Sequence, residues 1–518
     1  MHSSPLKTRS ATMVLALASL VAAVACTDTV YKERAPFNPP PDPASGFLGY
    51  YTVATKQTTC GNCHAEKQGE WLTTKHSHAW ADLQNSGGAQ SFCTPCHSIS
   101  ANGNADTGVV GYTKTPTAVY QDVQCESCHG PGETHVSSPT IANRPLARIS
   151  VADTTNSCAS CHSGAHDPFF EEWSQSGHGQ SNTLSPPISN IATNQLNSSC
   201  APCHEARTVL ALWGVSTNYV EANDVITAQN ALPIVCAVCH DPHDSTNPGQ
   251  LRYPLANVAL TGQLCIKCHS RRFDVTLTAN TPHAPQGPVV LGSAGYWPPG
   301  YDTSFTSSSH GDLTKNPRLC AGCHVNSYQF TDTLTNTTSF STGHLFRPIP
   351  CLVNGAPVFD DSCAFDLPSR SWQACTNAAC HATAALAQQA FASDTAAIAL
   401  LTNQLWVDAN GNGKLDPFPT DSGYLAQVST QVSTTDTVQT VADGVMFNVN
   451  TFGLHRYSNG DNSMGVHNPF LYQAILAASI TAMKSTYGLS APPPNVQVVI
   501  DRALARVGKK PPVVVSSH

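Results

Sequence analysis

Several features common in folded proteins of this length are scarce here. Only 12% of the 518 residues are charged and 7% are aromatic, so neither a heavily ion-paired surface nor large aromatic cores are expected. The net charge of −8 contains no basic excess, which argues against a nucleic-acid partner and against charge-driven binding to an anionic membrane. Methionine is rare at 5, and only Met446 and Met464 fall where they could serve the cofactors inferred below. After residue 26 no apolar run is long enough to span a bilayer. The first 26 residues have the parts of a secretory signal: Lys7 and Arg9, an apolar stretch from Met13 to Val24, and the small-residue exit Ala23-Val24-Ala25. Cys26 follows that exit, as at a lipoprotein processing site, although Ala-x-Ala also suits ordinary signal peptidase. Residues 27–50, with Pro39, Pro40, Pro41 and Pro43, read as a stiff linker. The mature chain is therefore expected to be exported and either soluble or tethered to a membrane only by lipid.

Cysteine, histidine, glycine and proline are plentiful. There are 21 Cys, 22 His, 34 Gly and 37 Pro, a composition for short helices and long ordered loops. The cysteines follow one pattern. Cys-x-x-Cys-His occurs at Cys60/Cys63/His64, Cys93/Cys96/His97, Cys125/Cys128/His129 and Cys158/Cys161/His162. It recurs at Cys200/Cys203/His204, Cys236/Cys239/His240, Cys265/Cys268/His269 and Cys320/Cys323/His324. A ninth, expanded form is Cys375-Thr-Asn-Ala-Ala-Cys380-His381. In such a motif two thiols add to the vinyl groups of a haem, and the adjacent His reaches the iron as proximal ligand. A zinc site or thioredoxin-like pair would not require His after the second Cys every time. Nine c-type haems are expected. Cys351 and Cys363 are left over and, in an exported chain, are expected to form a disulfide around Leu352 to Ser362.

Histidines outside the motifs supply the opposite face of each iron. Setting aside His2 and His518, the candidates are His76, His135, His178, His243, His283, His310, His344, His455 and His467, with His78 and His166 ranked lowest. That is enough for every iron to have two imidazoles, an arrangement with no open position for substrate and suited to electron transfer. Trp71-x-x-Thr74-x-His76 and Trp173-x-x-Ser176-x-His178 share a pattern, and Ser308-Ser309-His310-Gly311 echoes Ser176-Gly177-His178-Gly179.

The motif spacing divides the chain into trihaem units at 51–155, 156–258 and 259–400, followed by a C-terminal region, 401–518. Duplication is clearest for the first two units, which share Cys-x-Pro-Cys-His as their middle motif. Ala382 to Gln404 reads as a helix, Gln427 to Asn450 as short strands, and Phe470 to Met483 as a helix opened by Asn468-Pro469. Asp408, Asn410, Asn412 and Asp416 are spaced as in a calcium loop, but Pro419 stands where the bidentate Glu belongs, so Ca2+ and a plain Asn/Gly turn remain alternatives.

The strings Cys-Glu-Ser-Cys-His-Gly-Pro-Gly, Trp-x-x-Ser-x-His and Gly-Val-His-Asn-Pro resemble the multihaem cytochromes of metal-reducing bacteria, including outer-membrane lipoprotein and filament-forming extracellular members. The resemblance covers residues 60–485. It implies an irregular, loop-rich multihaem cytochrome c fold, with short α-helices and few strands wrapped around a chain of bis-histidine haems stacked in parallel and T-shaped pairs. It also implies extracellular respiration. The implied partners are other multihaem cytochromes, a porin-cytochrome conduit, further copies of the chain in a filament, and acceptors such as metal oxides. The rival reading is a multihaem oxidoreductase of the nitrite, tetrathionate or hydroxylamine type with one open haem. No Cys-x-x-Cys-Lys is present and ligands are in surplus, which favours electron transfer over catalysis.

Overall fold

The computed structural model describes residues 37–151, 157–164, 166–179, 199–227, 229–259, 261–276, 281–301, 308–376, 380–435, 438–454 and 459–507. Cys26, the signal segment and His455 lie outside the described residues. From Pro40 onward the chain forms one compact unit. Its β-structure, among the described residues, is three small antiparallel pairs: β1 (Tyr50–Thr52) with β2 (Gln57–Thr58), β3 (Tyr328–Asp332) with β4 (Thr337–Ser341), and β5 (Cys351–Val353) with β6 (Ala356–Val358). Glycine and proline interrupt most helices early, so the motif-bearing region carries only short ones, among them α1 (Ala65–Leu72), α2 (Phe169–Gln175) and α3 (Ala206–Leu212), with single turns at several of the motifs. The loop-rich fold expected from the sequence is what is found.

Residues 27–50 are not all linker. Phe47, Leu48 and Tyr50 are buried; Phe47 packs with Ile99, Val110 and Tyr120, and the Tyr120 hydroxyl donates to the Phe47 carbonyl at 2.7 Å. The segment is pinned by one carboxylate. Buried Glu126, inside the third motif, accepts the backbone N–H groups of Leu48, Gly49 and Gly132 at 2.7–3.0 Å. Burial pushes this carboxyl up to about 7 against those three donors, which hold it down.

The first two units are built alike. The indole N–H of Trp71 donates to the Val123 carbonyl at 2.9 Å, and that of Trp173 to the Ile234 carbonyl at 2.9 Å. Each bond ties the helix after a unit's first motif to the strand-like approach to its third. Thr74 and Ser176 then fold back on the carbonyls of Trp71 and Trp173, turning the chain towards His76 and His178.

Four longer helices close the chain: α4 (Ala384–Leu405), α5 (Val441–Phe452), α6 (Pro469–Tyr487) and α7 (Pro494–Leu504). α4 starts at its Thr383 N-cap, and α6 at Asn468, whose side chain accepts the Leu471 N–H, with Pro469 at the first helical position. Gly488 ends α6 in the left-handed region at φ 64°. The strands expected over Gln427 to Asn450 are not found among the described residues; the segment carries α5 instead. Thr440 and Asp443 form a reciprocal capping box, and Val445, Val449 and Phe452 recur at helical spacing into the core, so tertiary burial outweighs the β-branched composition. They meet Ile398, Leu401, Ile475, Leu476 and Ile480 in the largest aliphatic core of the described residues.

Replacing Ile475 with Ala should cost about 2–5 kcal/mol through the cavity left behind. Glu126→Ala strands three buried N–H groups, each worth about 1–3 kcal/mol, and should lower the melting temperature of the haem-loaded protein more than Glu126→Gln; calorimetry on the two variants checks the order.

Candidate functional site

The motif sulfurs are carried by short turns. Cys125–His129 and Cys320–His324 are single α-helical turns, and Cys60–Asn62 is a 3-10 turn, so the two cysteines and the His emerge close together. The imidazoles meet across the fold. His76 faces His162 with ring centroids 6.3 Å apart, and His129 faces His243 at 6.2 Å. His178 lies 6.3 Å from His269, His204 from His283 and His240 from His344, while His324 lies 6.0 Å from His467. Each of these six pairs joins one motif His to one His outside the motifs. A metal–imidazole nitrogen bond is about 2 Å long, so two rings holding one metal from opposite sides have centroids roughly 6 Å apart. Six pairs at that spacing, each beside a pair of cysteine sulfurs, fit a covalently held haem iron between two imidazoles. Among the described residues no three His, Cys, Asp or Glu side chains gather to hold a bare metal ion, which separates this chemistry from a zinc site.

The rings are also oriented. Where a ring's Nδ1 hydrogen is given to an acceptor, Nε2 is left to face the iron. His97, His129, His240 and His324 use the carbonyls of Ala79, Pro145, Gly249 and Phe346 at 2.7–3.0 Å. His162 uses the Asp167 carboxylate at 3.0 Å, and His269 the Gln286 side chain at 3.3 Å. On the opposite side His467 is held by Asp461 at 2.6 Å and His344 by Thr342 at 3.1 Å. Glu172 supports the latter by accepting both the Thr342 hydroxyl and the His344 N–H.

Family models match two stretches of the chain: one described as cytochrome c554 and c-prime over residues 59–130, and one described as a doubled CXXCH motif over residues 230–273. The multiheme cytochrome MtrA of Shewanella baltica is 24% identical over 241 residues, 43% of this chain and 66% of that protein. The C-type polyheme cytochrome OmcB of Geobacter sulfurreducens is 24% identical over 264 residues, 45% of this chain and 32% of that protein. The chain is a multihaem c-type cytochrome. It thus spans less than two thirds of the length of these relatives, and no solved structure matches it.

The sequence treats the motif sulfurs of the cytochrome alike, and the structure does not. Cys63, Cys128, Cys158 and Cys380 are exposed, whereas the other motif cysteines are partly buried. His64, beside Cys63, belongs to none of the six pairs, and the first motif meets the third through Cys60.

Not every candidate of the cytochrome is paired. His97 and His381, like His64, stand outside the six pairs; His310 is an electrostatic neighbour of His381, and its Nδ1 donates to the Val466 carbonyl at 2.5 Å. His135 is held at Nδ1 by Asn143 at 3.2 Å, and His78 and His166 are exposed. Cys351 and Cys363 are joined as a disulfide. In the Asp408 loop the Asp408 carboxylate accepts the N–H groups of Gly411, Asn412 and Gly413, and Asp416 accepts the side-chain amides of Asn410 and Asn412.

Sequence reading missed the orienting groups Asp461, Asp167, Glu172 and Gln286. Only Asp167, five residues after His162, was close enough to be suspected. Asp461 is the most consequential. It is fully buried, accepts the Tyr472 and Ser463 hydroxyls at 2.5 Å as well as His467, and is held below the usual carboxylate range despite its burial. Burial opposes the charged form of His467, but the carboxylate outweighs it and raises the ring's pKa.

Elsewhere burial, reinforced by neighbouring charged groups, lowers the ring pKa: to about 4 in His76, His283, His324 and His344, and to about 3 in His178. The folded state therefore binds fewer protons than the unfolded one between about pH 4 and the unfolded His value near 6.5. Stability is complete above that window and is lost as the pH falls through it, and because the folded rings take up protons only near pH 4, acid titration followed by electron paramagnetic resonance should show low-spin haem until the pH approaches about 4 and high-spin haem below that. Asp461→Asn should raise the reduction potential of one haem, because the neutral amide makes His467 a poorer electron donor; a potentiometric titration reads the shift.

Proposed function

We propose that the cytochrome passes electrons along nine bis-histidine c-type haems, and that it does so in extracellular respiration, at the outer membrane or beyond it. The observation that carries this reading is the set of six imidazole pairs at 6.0–6.3 Å. A haem so bound supplies an iron that changes between ferrous and ferric with both axial positions filled. The protein's part is to keep it so. The cysteine pairs tether each group against loss, the paired imidazoles exclude small molecules from the iron, and the Nδ1 acceptors hold the rings at fixed orientation in both oxidation states. Fixed ligands keep the reorganisation accompanying each transfer small.

The same reading has Cys26 lipidated at an outer membrane, or the chain released outside it. No helix among the described residues is long and apolar enough to cross a membrane. The cytochrome would exchange electrons with other multihaem cytochromes, with a porin-bound conduit or with further copies of itself, and finally with acceptors such as metal oxides. Similarity to MtrA and OmcB supports the electron-transfer class.

Pyridine haemochrome analysis of the purified holoprotein should count nine haems per chain. Electron paramagnetic resonance of the oxidised form should show low-spin iron only, and the dithionite-reduced form should bind no carbon monoxide rapidly. A high-spin signal with a carbon monoxide-binding fraction would instead reveal an open iron and favour a nitrite, tetrathionate or hydroxylamine type of oxidoreductase.

A further inference from the structure

Cysteines of different motifs lie against one another in an order that does not follow the sequence. The first cysteine of the first motif meets the first of the third: the Cys60 and Cys125 sulfurs are neighbours, and the hydroxyl of Thr58, two residues before Cys60, is 3.7 Å from Cys125 Sγ. The same contact joins Cys158 to Cys236, and Cys265 to Cys320, where the Gln263 amide donates to Cys320 Sγ at 3.8 Å. A second type of approach links the second cysteine of one motif to both cysteines of another: Cys128 neighbours Cys158 and Cys161, Cys239 neighbours Cys265 and Cys268, and Cys323 neighbours Cys375 and Cys380.

The two remaining motifs enter differently, each through its second cysteine. Cys96 lies beside Cys161 and 3.9 Å from the Ser160 carbonyl, with the Asn102 amide 3.4 Å from Cys96 Sγ and 3.5 Å from that carbonyl. Cys203 lies beside Cys268, and Arg271, just after the seventh motif, donates to the Ser199 carbonyl beside the fifth. The contact type is therefore the same for the second and fifth motifs and different from that of all the others.

We propose that the nine attachment sites form a through line of seven, in the order first, third, fourth, sixth, seventh, eighth and ninth, with the second and fifth sites as side branches on the fourth and seventh.

The imidazole pairs give the same register independently. His76, after the first motif, pairs with His162 of the fourth; His178, after the fourth, pairs with His269 of the seventh; His310, after the seventh, neighbours His381 of the ninth. Each unit thus supplies the second ligand for the opening site of the next, and the ninth motif takes the place of a fourth unit's opening site. The eighth motif, with its Cys265–Cys320 contact, corresponds to the third and sixth. The last unit has no counterpart of the branch, so the boundary drawn around 259–400 contains one full step of the line and the start of another.

The functional consequence rests on the electron-transfer reading, although the map of sites does not. An electron can run from the first site to the ninth without visiting a branch. The two branches are points at which a partner can add or withdraw electrons part-way along, or where charge can wait.

The test is a cryo-electron microscopy structure of the wild-type holoprotein with iron positions assigned to motifs. The iron at Cys93/Cys96 should have the iron at Cys158/Cys161 as its nearest neighbour, and the iron at Cys200/Cys203 that at Cys265/Cys268. Nearest neighbours that follow the sequence, second to first or third and fifth to fourth or sixth, overturn the map and leave the electron-transfer reading standing. A carbon monoxide-binding iron overturns that reading and leaves the map untouched. As a second measurement, C200A/C203A should lose one haem by pyridine haemochrome while its film on an electrode still carries current; loss of that current together with an unchanged low-spin signal from the remaining haems would sink the branch assignment.

Discussion

The motif-bearing region is organised by imidazoles that meet from distant parts of the chain at the spacing one iron between them would need. A motif alone would fix a haem to a short turn and leave one face free. Bringing His76 against His162, or His243 against His129, joins loops with no sheet or long helix to hold them. Loop closure over such separations is entropically unfavourable, and metal ligation can offset it because binding free energy becomes folding free energy when the ligands are far apart in sequence. This explains how a chain with so little regular structure between Tyr50 and Thr376 holds a definite arrangement.

Polar groups that would otherwise be costly to bury serve the same end. Glu126 gathers the backbone of Leu48, Gly49 and Gly132 around the third motif, and Glu172 gathers Thr342 and His344 beside the sixth. Both are satisfied by several donors, which is the condition for a buried carboxyl to stabilise a loop rather than weaken it. The C-terminal helices solve a different problem. They bury an aliphatic core of their own, and α6 begins two residues after His467, so the imidazole that meets the eighth motif sits at the start of one of the longest helices described. Asp461 then fixes that ring, and the Tyr472 hydroxyl, one turn into α6, donates to Asp461 and holds the carboxylate in place.

Some of this was legible in the residues alone. The attachment chemistry is local, because two thiols and a His within a few residues suffice to define it, and repetition removed the doubt any single motif carries. The helix start at Asn468 was legible for the same reason, since a cap and its first turn are neighbours in sequence, whereas the alanine-rich helix expected from Ala382 begins at Ala384 behind its Thr383 cap. The strands expected from Gln427 to Asn450 failed because β-branched composition is a weak guide where packing decides, and α5 has a core to pack against. Identical motifs also gave no hint that Cys60 lies beside Cys125 of the third motif rather than beside the second. Which of the many free histidines faces which motif was not legible, since His178 is nearer in sequence to His162 and His204 than to its partner His269.

The sequence by itself determined the covalent chemistry of this protein, the number of its attachment motifs and the pool from which the second ligands are drawn, because each depends on residues a few positions apart. Only the tertiary structure decided the pairing of the imidazoles, the groups that orient them and the neighbours each motif meets. Those depend on how loops of unequal length return to one another in space, and nothing in a short stretch of residues encodes that return.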